Sequence, residues 1–208
     1  MTYSPEFHDV VDIFAPVADF IGTNGFPAMD TYRKLQKEGK EVWWYVSCMS
    51  HGCDALADSG ISDLVIDRPS SYIRSIGWLG AKEGIDAFLY YFVNYAYQFY
   101  PERDPWKDQW DFSGNGDGTL VYPGRPGMFG LSQHTPLPSL RLKLLRETSQ
   151  DAQYVSWMKG LPSPPSWWEK EFEELLPTLR TWKRDYGAYT LLRQKMGEFL
   201  DHHQRASK

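Results

Sequence analysis

Residues Glu41–Cys48 read EVWWYVSC, a run filled with β-branched and aromatic side chains and the strongest strand in the sequence. Upstream, Pro27–Lys40 has the marks of a helix, with Pro27 suited to its first turn and Gly39 to its end. Downstream, Ser70 or Ser71 caps a helix running to about Glu83, with Ile73, Ile76 and Leu79 at three-residue spacing and Gly84 as the stop. Asp86–Tyr97, DAFLYYFVNYAY, is a second strong strand, apolar on both faces at first, as a parallel strand covered on both sides is. Shorter strand-like runs are Val10–Phe14 (VVDIF), Leu64–Ile66 and Gly118–Tyr122 (GTLVY), the last closed by Pro123-Gly124. A helix from about Ser139 follows, with Leu140, Leu144 and Leu145 on one face. Strands alternating with helices predict an α/β fold with parallel strands.

The PSPPS stretch at Pro162–Ser166 reads as a linker. Beyond it lie two helical stretches, Trp167–Asp185, kinked at Pro177, and Ala188–His202. Residues 1–160 and 161–208 are therefore the two expected units. The 208 residues suffice for one domain, or one with an appendage, but are short of the about 250 that a full (β/α)8 barrel takes.

Charged residues make up 24 % and the net charge is −5, with no Lys/Arg cluster, so neither nucleic acid nor an anionic membrane is expected as a partner. No apolar run approaches the roughly 20 residues of a membrane span. The first residues show no basic stretch followed by an apolar one, hence no signal peptide is visible, and the compartment stays open. Cys48 and Cys53, the only cysteines, make neither a disulfide framework nor a zinc site, and no cofactor or metal is expected. The 9 Trp, 13 Tyr and 11 Phe fit core packing first, yet Trp and Tyr also join an apolar face to a polar edge, as sugar rings require.

Three collinear blocks carry a family resemblance: GKEVWWYVSCMSHG (Gly39–Gly52), Ile66–Tyr97, and DPWKDQWDFSGNGDGTLVYPGRPG (Asp104–Gly127) with Pro136–Tyr154. Together they resemble the C-terminal half of the glycoside hydrolase family 123 catalytic domain. The resemblance implies the last four βα units of a (β/α)8 TIM-type barrel, with a C-terminal helical appendage, from an enzyme acting on β-linked N-acetylgalactosaminides. In that family an adjacent Asp-Glu pair does the chemistry. The Glu is the general acid, and the Asp orients the substrate's own 2-acetamido group as nucleophile, unlike the usual scheme of two enzyme carboxylates. This sequence contains no Asp-Glu dipeptide. The resemblance places VVDIF just after the catalytic strand and both catalytic residues upstream of Met1. The expected roles are thus a portion of a hexosaminidase, inactive alone, or else a non-catalytic carbohydrate-binding module or scaffold.

Site residues in such barrels lie at C-terminal strand ends and the loops that follow. After Glu41–Cys48 these are Trp44, Tyr45 and His51, with Trp44 as a sugar platform or as interior filling, since neighbouring strand residues point opposite ways. The second strand offers Tyr91 and Asn94, an amide in an aromatic run whose burial would demand a partner. The next loop offers Trp106, within the DPW motif. SGNGDG (Ser113–Gly118) fits a turn better than a calcium loop, and Asp117 within it lines the site. Glu171, Glu173 and Glu174 read as a solvated helix face. Short strands at the two ends of a half-barrel would leave edges open to self-association.

Overall fold

A computed structural model describes residues 3–23, 25–51, 53 and 59–206. Its chain order is β1 (Ile13–Phe14), α1 (Met29–Lys37), β2 (Glu41–Tyr45), α2 (Cys48–His51), α3 (Ser71–Glu83), β3 (Ala87–Leu89) and α4 (Tyr95–Phe99). Then follow β4 (Trp110–Asp111), β5 (Gly114–Asn115), β6 (Val121–Gly124), β7 (Thr135–Pro138), α5 (Leu140–Lys159), α6 (Trp168–Leu175) and α7 (Tyr186–Ala206).

Strands β1, β2 and β3 form one parallel sheet in sequence order, Phe14 beside Val42 and Trp44 beside Phe88. The expected stops hold: Gly39 and Gly84 take left-handed backbone just past α1 and α3. Ser139 caps α5, its side chain accepting from the Leu142 N–H. Asp86 starts β3 by substituting for a ladder partner, its carboxylate accepting from Val42 N at 2.7 Å and from Gln36 Nε2.

The sheet is covered on one face only. Phe14, Val42 and Trp44 are buried beneath the helices, Trp44 with its ring 3.4 Å from where a side chain at Gly80 of α3 would begin. The alternate residues Ile13, Glu41, Trp43, Tyr45, Ala87 and Leu89 share the other face and stand outside the main core. An antiparallel sheet with one wet face makes that face polar; here it is apolar and aromatic apart from Glu41 at the start of β2. Among the described residues, β1 and β3 each have one strand neighbour, so both outer edges are bare.

Several expectations change. Three parallel strands stand where four were expected, and the described residues close no barrel. VVDIF narrows to Ile13–Phe14. The strand over Asp86–Tyr97 ends at Leu89, because the next backbone groups bind elsewhere: Val93 O accepts from Leu120 and Val121, and Tyr95 N donates to Gly118 O. GTLVY is not a parallel strand. Thr119 makes one antiparallel bridge to Asn94, and Val121–Gly124 pairs antiparallel with Thr135–Pro138. Prolines 123, 136 and 138 are tolerated because a two-stranded ribbon has only edge strands. Leu64–Ile66 joins no sheet; Leu64 O is taken by the Arg141 guanidinium and Ile66 N by Asn115 O.

Helix α5 buries Leu144 and packs Leu145 on the core as expected, but not Leu140. Leu140 is 69 % exposed, while Arg141, Leu144, Thr148, Asp151, Val155 and Met158 face inward. Thr148 enters α3, its hydroxyl accepting from Gly77 N and donating to Arg74 O. The stretch Trp167–Asp185 is not one kinked helix: α6 stops at Leu175, since Pro177 drives Leu176 out of helical backbone. Helices α6 and α7 join the same hydrophobic core as the sheet, through Trp168, Phe172, Tyr189 and Met196. The three glutamates expected on a solvated face stay accessible and each makes an ion pair, Glu173 to Lys82 of α3, Glu171 to Lys195 of α7 and Glu174 to Lys170.

Candidate functional site

The C-terminal ends of β2 and β3 lead into the segments that carry most of the expected site residues. Tyr45, the last residue of β2, is half-buried on the uncovered face, and burial pushes its phenol above the usual range. Trp44 is 3 % exposed on the opposite, helix-covered face, so the interior reading of this side chain is the one the packing supports. Trp43 takes the open side in its place, its indole donating to Glu41 at 2.8 Å. The backbone of His51 ends α2, while its side chain lies outside the described residues. Cys48 and Cys53 are joined by a disulfide with a Cα–Cα distance of 5.0 Å, both buried beside Val65.

Past β3 the chain builds an aromatic patch. The exposed Tyr91 lies 4.9 Å from Phe92 and 5.9 Å from Phe112, centroid to centroid, and Tyr95 lies 4.4 Å from Phe112 and 4.7 Å from Phe99. Asn94 is exposed, not buried, and its side chain makes no hydrogen bond among the described residues; its backbone is engaged, bridging Thr119. The pressure to satisfy a buried amide therefore does not act on it. Trp106 is 48 % exposed, its ring 5.1 Å from Tyr122 and edge-on to Phe129 at 5.5 Å.

Asp117 is 2 % exposed and fully engaged by the protein. Its Oδ2 accepts from Cys48 N at 2.9 Å, and its Oδ1 from Tyr90 Oη at 2.8 Å and Gly118 N at 3.0 Å. It fastens the loop after β5 to the start of α2. Burial pushes its carboxyl above the usual range, against the donors and the Arg141 charge, and the same burial, with Asp117 beside it, pushes the Tyr90 phenol well up.

Sequence reading missed the residue that holds this region together. Arg141, at the start of α5, donates to the carbonyls of Leu64, Gly116 and Thr119 and to Tyr122 Oη at 3.1 Å. Gly116 has to be glycine on two counts: φ is +83°, and a Cβ there would sit 2.7 Å from the guanidinium. The alternating glycines of SGNGDG were the available signal, because they mark backbone pressed against something bulky. What the arrangement offers chemically is aromatic faces and an unpaired amide around a strand-end surface, means of holding a sugar ring.

The glycoside hydrolase 123 catalytic domain matches this sequence over residues 2–158. A solved family 123 glycoside hydrolase from Clostridium perfringens, studied for glycolipid glycan hydrolysis, has the same fold with a TM-score of 0.63 at 17 % identity. The similarity covers 100 % of this chain and 36 % of that one, so this chain spans about a third of its length. No curated protein matches.

Proposed function

The chain belongs to the glycoside hydrolase 123 catalytic-domain family, and we propose that it is the C-terminal half of a (β/α)8 barrel which, when completed, cleaves β-linked N-acetylgalactosaminides. The observation that carries this is the one-sided sheet. Helices cover Phe14, Val42 and Trp44, whereas Ile13, Trp43, Tyr45 and Leu89 have the composition of a barrel interior without its remaining wall. A cavity of about 320 Å³ beside the outer edge of β3, lined by Gly77, Gly80, Ala87 and Ala152, fits the place where a further βα unit would pack. Residues 1–160 form the barrel portion and 161–208 the appendage. The disulfide suits an oxidising compartment.

In this reading the general acid and the acetamide-orienting Asp come from polypeptide outside these 208 residues. This chain holds the sugar, Tyr45 and Tyr91 offering ring faces, Asn94 an amide and Trp106 a platform, and His51 a further polar contact. Asp117 and Arg141 act as positioning residues by fixing the loop between β5 and β6. A second reading, sugar binding without cleavage, is favoured by the engagement of Asp117, a carboxylate expected to line this surface, by three protein donors.

The test is hydrolysis of an activated aryl N-acetyl-β-galactosaminide. The isolated chain should be silent, since general acid catalysis is worth about 10²–10⁴-fold and is missing here. Co-production with the reading frame upstream of Met1 should restore turnover. A silent completed protein that still binds the sugar would establish the second reading, and turnover by the isolated chain would overturn the first.

A further inference from the structure

A cavity of about 230 Å³ lies between the loop after α4 and strand β6, lined by Glu102, Arg103, Asp104, Trp106, Arg125 and Met128. Its charged groups divide into two kinds. Arg103 is engaged with Asp111 at 2.7 Å, Asp108 and the Tyr100 ring, and Asp104 with the Trp106 N–H and Lys107. The side chains of Glu102 and Arg125 make no hydrogen bond or ion pair among the described residues, Arg125 being engaged only through its carbonyl, which accepts from Met128 N. One carboxylate and one guanidinium thus remain open at the wall of a cavity that also presents a half-exposed indole.

We propose that this cavity is a subsite for one neutral pyranose, an inference that rests on the carbohydrate reading above and refines it. The C–H face of the sugar lies on the Trp106 ring, which leans on Tyr122 and is flanked by Phe129. A neighbouring pair of hydroxyls donates to Glu102 and accepts from Arg125, a pairing that a ligand with both donors and acceptors satisfies and an ion of either sign does not. Size agrees: the volume is below the roughly 300 Å³ at which pockets for drug-sized ligands begin, so it takes one ring. An anionic sugar would meet Glu102 and Asp104 together.

The experiment follows the indole N–H resonances of the nitrogen-15-labelled full chain during titration with methyl β-galactopyranoside and N-acetylgalactosamine, and separately with galacturonate. The Trp106 signal is identified by its loss in Trp106→Phe. The expected result is a saturable shift of Trp106 with the two neutral sugars, a much smaller one with galacturonate, and none at the equally exposed Trp110. Glu102→Gln and Arg125→Gln, both at exposed positions, should each weaken binding about tenfold, the loss of one charged hydrogen-bond partner. No shift at Trp106, a stronger response to galacturonate, or binding indifferent to both substitutions would overturn the subsite. Hydrolysis by the completed protein with an unmoved Trp106 would remove the subsite and leave the activity standing. A Trp106 shift in a completed protein without hydrolysis would do the reverse.

Discussion

Arg74 and Asp151 form an ion pair, Nε to Oδ2 at 2.7 Å, with side chains 1 % and 0 % exposed. The Trp78 indole donates to the same oxygen at 2.8 Å, and Arg193 of α7 reaches the other at 3.1 Å. Helices α3, α5 and α7 are thus tied at one buried carboxylate.

Replacing Asp151 with Ala leaves Arg74 charged in the core without its nearest partner. The loss should be about 3–5 kcal/mol, the range for breaking one side of a buried pair. Urea denaturation checks it, the midpoint falling with an unchanged slope. A loss under about 1 kcal/mol would show that water or Glu147, 3.7 Å away, replaces the carboxylate.

Gly77→Ala tests the approach of α3 to α5. Alanine is the better helix former by about 0.8–1 kcal/mol, but its methyl would lie 2.2 Å from the Thr148 carbonyl oxygen. Net destabilisation of about 1–3 kcal/mol is expected, the range for overpacking a closed contact. Thermal unfolding of the variant would reveal a rise in midpoint if the helices separate freely.

Tyr186 predicts a loss of stability in alkali. Burial first, then its hydrogen bond to Glu147, pushes the phenol up to about 12 from an ordinary 10.0. A group whose pKa is higher folded than unfolded contributes fully below the unfolded value, and that contribution is lost as pH rises through the folded one. Melting temperatures of the wild type and Tyr186→Phe should therefore differ by a constant below pH 10 and converge between 10 and about 12. Parallel curves through that window would mean that the phenol is not coupled to folding.

The bare edges of β1 and β3 and the uncovered row of Ile13, Trp43, Tyr45 and Leu89 predict association of the isolated chain. Sedimentation velocity should show dimers or larger species, with the association weakened by Trp43→Lys. A stable monomer with one cooperative thermal transition would remove the half-barrel proposal.

Much of the fold was legible from local chemistry. The alternation of β-branched runs with helices marked by a glycine stop (α1, α3) or a serine cap (α5) defined β2, α1, α3 and α5, because propensity, caps and turns act over a few residues. The collinear blocks carried the family for the same reason, as strings of local features in order.

Tertiary structure alone decided which face each residue uses. A strand's period of two says that Trp43 and Trp44 oppose each other; only the helices lying on one side bury Trp44 and leave Trp43 open. In α5, Leu140 was expected on the apolar face but is exposed, while its neighbour Arg141 is buried because it finds the carbonyls of Leu64, Gly116 and Thr119. Asp151 finds Arg74 in the same way, 77 residues distant in the chain. A charged side chain is buried only when such partners wait for it, and partners that far apart in sequence meet only after the chain has folded.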